Sequence, residues 1–595
     1  MEAGTATSTT GSATIADLLL LAADKYAVRV AVRYRDGDSW ADVTYGEVGT
    51  IVSEVARGLI DLGIEPGDRV ALLATTRPEW TYADFAISSA GAVVVPIYPT
   101  NSPEECEWVA GNSESRAIIC ENAAQLAKIT AVRQRLPQLQ HIVVIDPAGD
   151  TAGAIPIREL RERGRGRDAA ELEARVAAVK PDDPYTFIYT SGTTGPPKGC
   201  VLTHRNYRSI VDSVEERDLL QGEEDLVYLF LPLAHAFALL IQLVSFDVGT
   251  TIAYWGGDTK QIIPELAQVR PTYIPSVPRI FEKLYTLVTA HGAPQLIKQA
   301  TQVGLKVRAL EEAGQPIPPE LQAAYDQADE KLFKNVRAAF GGRLREATSG
   351  AAPIAKEILE FFYACGVPVM EGYGMTETAT AATTSSPENH RFGTVGRALP
   401  GVEIKIAEDG EVLIKGPNIF NGYYKNDDAS FGAVIDGWLH TGDLGSLDED
   451  GYLTITGRKK DIIITAGGKN LTPANLENDL KQSRWISQAI MHGDRRPYPV
   501  VLITLDEEEI VPWAEQNRIE EASIAALAQH PKVHELIQAE LDRANAKYAP
   551  VEQVKKFAIL DHDLSQETGE LTPTLKVKRN VVNEKYADLF DRLYS

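Results

Sequence analysis

The sequence predicts an α/β protein: a large multi-layer N-terminal domain, made of two α/β layers and a small β-rich subdomain, followed by a smaller α+β C-terminal domain. Three observations predict it. Short β-branched or aromatic runs alternate with helix-period segments up to about residue 179 and again from residue 226, as strands and crossover helices do around a largely parallel sheet. Between residues 394 and 453 the runs shorten and are punctuated by Pro-Gly, Asp-Gly and Asn-Gly turns, as at Asp448-Glu449-Asp450-Gly451. After Gly457 the charged run Arg458-Lys459-Lys460-Asp461 precedes a fresh strand and helix, which puts a domain boundary between residues 1–460 and 461–595. A chain of 595 residues is too long for one ordinary core, so at least two are expected.

Residues 1–13, rich in Ser, Thr, Gly and Ala and without a basic leader region, read as a disordered tail entering a helix over 15–23. A helical pattern over 52–62 alternates with buried strands at 70–74, 92–97 and 141–145. The Arg- and Glu-rich stretch 158–180 reads as a solvated helix and connector whose charges simply face water. A strand at 185–189, a second at 199–202 and a helix opening at His204, capped by Thr203, follow. Apolar residues dominate 226–252, and 273–277 is another buried strand. Residues 290–337 are helical in composition, divided by Pro316, Pro318 and Pro319, and read as a solvated helical insertion. In the C-terminal part, strands are expected at 462–465, 489–492 and 500–504. A helix with Thr472 as cap and Pro473 at its first position and a long helical region over 508–546 complete it.

Composition narrows the function classes. With 83 acidic against 59 basic residues the net charge is −24, which argues against general nucleic-acid binding. Any anionic ligand must therefore be held by cations and backbone N–H groups gathered locally. Four scattered cysteines with no Cys-x-x-Cys pair support neither a zinc site nor a disulfide framework and suit a reducing cytoplasm. No apolar run reaches the ~18 to 20 residues that span a bilayer, so membrane contact would be peripheral.

The most informative stretch is Thr190-Ser191-Gly192-Thr193-Thr194-Gly195-Pro196-Pro197-Lys198-Gly199. Gly192 and Gly195 let the backbone approach an anion, Ser191, Thr193 and Thr194 donate hydrogen bonds, and Lys198 supplies charge, so the loop suits polyphosphate. A glycine and hydroxyl loop alone is equally a surface turn, and no Gly-Lys-Ser/Thr follows to make it a Walker A loop. The full order of residues is far more specific: it resembles the signature loop of the adenylate-forming superfamily, which includes acyl-CoA synthetases, peptide-synthetase adenylation domains and firefly-type luciferases.

Five further stretches match that superfamily in order, over roughly residues 40 to 590. Pro232-Leu233-Ala234-His235-Ala236-Phe237 resembles the motif whose His sits beside the substrate carboxylate, although a lone His is more often a strand cap. Ser349-Gly350-Ala351-Ala352-Pro353 and Glu371-Gly372-Tyr373-Gly374-Met375-Thr376-Glu377 resemble the adenine pocket and its metal site. There Tyr373 offers a stacking face, Thr376 a hydrogen bond to the α-phosphate, and Glu377 the hard oxygen that Mg²⁺ prefers. His440-Thr441-Gly442-Asp443 resembles the ribose-binding turn, with Arg458 as a nearby cation; Asp443 alone would be a turn residue. Thr572-Pro573-Thr574-Leu575-Lys576 resembles the C-terminal motif of the catalytic lysine, assigned to Lys576 with Lys578 as runner-up. Leu575 stands where the commonest form has Gly, a departure shared with long-chain fatty acyl-CoA synthetases.

The resemblance implies a reaction in two halves. A carboxylate attacks the α-phosphate of ATP with Mg²⁺, Lys198 and Lys576 stabilising the developing charge, and CoA thiolate then displaces AMP. It further implies that the C-terminal domain is mobile about a hinge at Lys460, so that Gly467 and Gly468 replace Lys576 at the site and leave room for pantetheine. Gly374, where acetate-type enzymes carry Trp, implies an open acyl pocket, and the apolar run from Phe237 to Phe246 suits a tunnel, so the expected substrate is a medium- to long-chain fatty acid. A fatty acyl-AMP ligase loading a carrier protein, an amino-acid adenylation domain and a non-catalytic acyl-adenylate or AMP sensor are the alternatives.

Overall fold

A computed structural model describes residues 8–149, 151, 153–190, 196–289, 292–467, 469–520, 523–572 and 576–595. Among these, two large sheets form the N-terminal layers. One has the strand order Ile155–Pro156, His141–Asp146, Ala117–Asn122, Arg69–Leu73, Val93–Ile97, Pro184–Thr190 and Lys198–Thr203. Its centre is parallel and covered on both faces, which is why Val93–Ile97 is a continuous apolar run with every residue buried. Pro184–Thr190 runs parallel to that strand and turns back antiparallel into Lys198–Thr203, with Thr190 opposite Lys198. The two strands that flank the glycine loop are thus antiparallel neighbours, the first of them also parallel to Val93–Ile97; Ser191, Gly192, Thr193, Thr194 and Gly195 themselves lie outside the described residues.

The second sheet carries the other motifs. Leu226–Leu229, Tyr273–Ser276, Glu346–Ser349 and Val369–Tyr373 are successive parallel neighbours, so the segments that leave their C-terminal ends gather along one edge. Those segments hold His235, Gly350 and Glu377, in the crevice where open α/β sheets bind ligands. A five-stranded antiparallel sheet follows, in which Asp443 on Trp438–Leu447 stands directly opposite Arg458 on Leu453–Arg458. Beyond residue 460 the apolar clusters are new. The large core draws on residues from Ile15 to Leu453, whereas Ile463 to Ile559 form a core of their own around the sheet Ile486–His492, Val500–Leu505 and Lys556–Ile559. No helix among the described residues is long and apolar enough to cross a membrane.

Several expectations need correction. The reading of 1–13 as a disordered tail fails for residues 8–13, and residues 1–7 lie outside the described residues. The Ser8 hydroxyl and the Thr10 N–H donate to the Asp247 carboxylate at 2.9 Å, and Arg208 donates to Ser12 Oγ at 2.8 Å. These small polar residues strap the helices His204–Glu215 and Ala236–Val248 together because Asp247 is fully buried and has to be satisfied. The stretch 158–180 is not merely solvated: the helix Ile157–Arg165 packs on Tyr45–Asp61, and Arg161 and Arg165 bind the buried Glu54 at 2.8 and 2.7 Å. The insertion over 290–337 is also seated on the body, with Gly304 so close to Ala364 that an added Cβ would lie 2.7 Å from its backbone oxygen. The helical region expected over 508–546 is three helices, Glu507–Gln516, Ile524–Leu527 and Pro531–Asn545. A hairpin, Val30–Asp36 with Ser39–Thr44, was not anticipated.

Candidate active site

A cavity of about 1780 Å³ lies where the sheet edges, the β-rich subdomain and the C-terminal domain meet. Thr190 and Lys198, paired across the two strands that flank the glycine loop, line it. The Lys198 ammonium sits 4.9 Å above the Tyr423 ring, and the Tyr423 hydroxyl donates to Glu377 Oε1 at 2.7 Å. The phosphate-loop cation and the candidate metal ligand are thereby fixed by one aromatic side chain. Outside the cavity wall, Trp108 Nε1 donates to the carbonyl of Pro197 at 2.8 Å and anchors the loop's descending limb.

Glu377 stands in the 3₁₀ turn Thr376–Thr378, directly after the strand Val369–Tyr373, and is 7% exposed. The next two residues, Ala379 and Thr380, have φ of 47° and 98°, so the chain doubles back on the strand it has just left. Gly374 is required by that fold-back: an added Cβ would lie 2.1 Å from the Thr380 oxygen and 2.6 Å from Ala381 Cα. Gly374 does line the cavity, but the reason for glycine here is close backbone approach, so a bulky residue would break the turn before it trimmed the pocket. Gly372 is the position with room, its added Cβ meeting Thr348 Cγ2 and Thr383 O no closer than 3.6 Å. Ala351 also holds a positive φ of 67° at the cavity wall beside Gly350.

Asp443 is 3% exposed and tightly oriented: Oδ2 accepts from the Tyr373 hydroxyl at 2.8 Å and Oδ1 from Arg458 Nε at 2.8 Å. Each oxygen keeps a lone pair, so the carboxylate can still accept from a diol. His235 caps the helix Ala236–Val248, its Nδ1 accepting from the Phe237 N–H at 3.2 Å, which leaves the ring proton on Nε2 as a donor. Burial, aided by the Lys576 ammonium, pushes the His235 pKa down to about 3, so the ring acts as a neutral hydrogen-bonding group.

Lys576 reaches this same constellation from the C-terminal domain. Burial and the charge of Arg458 pull its pKa down to about 8, against the opposing pull of Asp443 and Glu377, and Lys460 lowers it further. Its side chain stays accessible to the open cavity while protein surrounds it closely. Lys460 is in the 3₁₀ turn Lys459–Asp461 at the junction of the two cores and also lines the cavity. The site thus unites Thr190, Lys198, His235, Gly350, Ala351, Tyr373, Gly374, Thr376, Glu377, Asp443, Arg458, Lys460 and Lys576. Gly467 stays outside it, in an exposed turn with only Thr465 Oγ1 within 4 Å of an added Cβ; Gly468 lies outside the described residues.

Tyr423 carried no signal in the sequence, and Glu371, although part of the Tyr373 stretch, had no task assigned to it. Tyr423 follows an ordinary Asn-Gly turn and is tied to Glu377 only through the fold. Glu371 faces the cavity beside Tyr373, and burial pushes its carboxyl up to about 8. A metal has no clustered carboxylate or imidazole triad to occupy among the described residues. The single hard carboxylate of Glu377 suits an ion that keeps its waters and takes phosphate oxygens, as Mg²⁺ does.

Comparisons with known proteins show the family and the fold. Residues 20–424 match the model of a family described as AMP-binding enzyme, and residues 460–595 that of the AMP-binding enzyme C-terminal domain. The chain is 40% identical to the long-chain-fatty-acid–CoA ligase FadD15 of Mycobacterium tuberculosis, covering 93% of each chain. It is 34% identical to the long-chain-fatty-acid–CoA ligase ACSBG2 of Xenopus laevis, covering 98% of this chain and 84% of that one. Among solved structures, the anthranilate CoA ligase AuaEII in complex with anthranoyl-AMP superposes with a TM-score of 0.72 at 20% identity, over 96% of this chain and 97% of that one. A Mycobacterium tuberculosis fatty acyl CoA synthetase superposes with a TM-score of 0.62 at 22% identity, over 97% and 99%.

Proposed function

The chain belongs to the AMP-binding enzyme family, and on that premise we propose that it is an AMP-forming acid–thiol ligase that activates long-chain fatty acids. The acid becomes an acyl-AMP, releasing pyrophosphate, and then acyl-CoA, releasing AMP. The observation that carries this reading is the meeting of Lys576, His235, Asp443 and Glu377 around one cavity lined by both cores.

Each residue has a part that its chemistry supports. Asp443, held by Tyr373 and Arg458, accepts from the ribose hydroxyls. Tyr373 itself offers adenine a flat face. The neutral Nε2–H of His235 donates to the fatty-acid carboxylate or to the carbonyl oxygen it becomes, without the charge that would lock the acid in place. As the carboxylate attacks, negative charge grows on the α-phosphate, and Lys576, Thr376 and Lys198, which line the cavity, supply cations and a donor to stabilise it. Glu377 would hold Mg²⁺, which when bound neutralises the phosphate oxygens.

The test is ATP–pyrophosphate exchange across a panel of acids, followed by CoA addition. Exchange should appear with long-chain acids and not with amino acids, and CoA should convert the adenylate to thioester. In Glu377→Ala exchange should fall roughly 10²-fold, the size of effect expected from several kcal/mol of lost charge stabilisation. Exchange with amino acids alone, or adenylate that CoA never discharges, would overturn the reading.

A further inference from the structure

The wall of the cavity along the strand Glu346–Ser349 is not the continuous apolar surface that a saturated tail would meet best. In a strand, alternate residues share a face, so Glu346 and Thr348 look the same way. Tyr273, opposite Glu346 on the neighbouring parallel strand, joins that face and donates its hydroxyl to Thr348 Oγ1 at 2.8 Å. Glu346, Thr348 and Tyr273 all line the cavity, as do the apolar Val214, Leu240 and Ile241.

Glu346 is the odd member. It is 3% exposed, and its Oε1 has no hydrogen-bond partner. The adjacent Arg345 does not serve it: that guanidinium is committed to Asp225 Oδ2 at 2.7 Å and the Leu219 carbonyl at 2.6 Å, and only approaches Glu346 Oε2 to 3.6 Å. Leaving a buried carboxyl oxygen without a donor is costly, and burial pushes this carboxyl up to about 8. The last torsion of a glutamate is soft, so rotation can turn either oxygen towards the chamber. Position fixes which part of an acyl chain it meets. Glu346 lies four residues before Gly350, roughly 13 Å along the strand from the edge where the carboxylate reacts. An extended chain covers about 1.2 Å per bond, which puts Glu346 beside roughly the tenth to twelfth carbon.

We propose that Glu346 is a specificity-determining residue that selects fatty acids bearing a hydroxyl group near carbons ten to twelve, the hydroxyl donating to its otherwise unpartnered carboxyl oxygen. This deepens, and rests on, the fatty-acid reading of the same cavity. An unsubstituted chain leaves the oxygen unpaired, and a site built to bind a hydroxyl penalises the analogue without one.

The experiment compares kcat/KM for dodecanoic, 12-hydroxydodecanoic and 6-hydroxydodecanoic acids in the wild type, Glu346→Leu and Glu346→Gln. The wild type should favour the 12-hydroxy acid over dodecanoic acid by about tenfold, the worth of one hydrogen bond, and show no such gain for the 6-hydroxy acid. Glu346→Leu should reverse the preference in favour of dodecanoic acid, and Glu346→Gln, which keeps an acceptor, should retain most of it. Because the position effect is read in the wild type alone, the proposal stays testable if a variant does not fold. Equal use of all three acids by the wild type, or the same ranking in wild type and Glu346→Leu, would overturn it while leaving the fatty-acid reading intact. Failure of every acid to form acyl-CoA would overturn both.

Discussion

Lys576 is charged only over part of the pH range in which the protein would work. Burial and Arg458 lower its pKa to about 8 from the ordinary lysine value, so the cation is fully present below that pH and is lost as pH rises through it. Since kcat/KM reports ionisations of the free enzyme, kcat/KM for ATP in the adenylation step should fall about tenfold per pH unit above about 8. In Lys576→Arg the guanidinium stays protonated, so the alkaline limb should flatten even though the absolute rate drops. A limb that persists unchanged in that variant would assign the ionisation to another group. His235, held near 3, contributes no limb in this range. That Lys576 and Glu377 would come to one cavity was legible because their motifs tie a residue type to a task. The tie between Glu377 and Tyr423 was not, since it joins positions far apart in the chain through a single hydroxyl.

At the scale of elements, what was legible followed from local rules. Thr203 was recognisable as a cap and does accept from the Asn206 N–H, and Pro473 does open its helix. What was missed depended on which faces meet. Residues 158–180 look solvated because they are rich in Arg and Glu, yet Glu54 on the partner helix is buried and needs those arginines. Despite burial, Arg165 and Arg161 hold its carboxyl below the ordinary value. The two helices approach closely enough that only glycine fits: a Cβ on Gly164 would lie 1.9 Å from the backbone carbonyl oxygen of Glu54, and one on Gly58 would lie 2.3 Å from that of Leu160. Gly164→Ala should therefore destabilise by about 1–3 kcal/mol, the cost of overpacking, although alanine is the better helix former. The control is Gly432→Ala in the exposed helix Asp427–Ala433, where an added Cβ meets nothing within 4 Å and helix propensity should make it neutral or stabilising by up to about 1 kcal/mol. Denaturant unfolding of the two variants should move the midpoint in these different ways. A Gly164→Ala protein as stable as wild type would mean that the helix pair can separate without loss.

At the scale of the whole molecule, ion pairs bridge the two cores among the described residues. Arg279 and Lys283 on the helix Pro278–Thr289 pair with Asp506 and Glu508 at the start of Glu507–Gln516, the Lys283–Glu508 distance being 2.7 Å. In this arrangement Lys576 is at the site and Gly467 is away from it, which suits the adenylating half of the reaction. The Lys283–Glu508 pair is exposed and contributes about 0–1 kcal/mol, whereas Arg279 meets a mostly buried Asp506; together they bias a domain equilibrium by a few-fold without locking it. Removing both in Arg279→Ala/Lys283→Ala should therefore slow adenylation two- to fivefold and leave thioester formation from supplied acyl-AMP and CoA equal or faster. If Lys576 acts as proposed, only while the α-phosphate is under attack, Lys576→Ala should nearly abolish adenylation yet retain the thioester step. Gly467→Leu should do the opposite: adenylation is untouched, since residue 467 is outside the cavity, and the thioester step slows because a branched side chain obstructs the pantetheine route. The two half-reactions, each measured alone, must separate these variants in opposite directions. If Lys576→Ala and Gly467→Leu slow both steps to the same extent, a single fixed site performs both halves, and the Arg279 and Lys283 ion pairs are structural contacts without a part in the cycle.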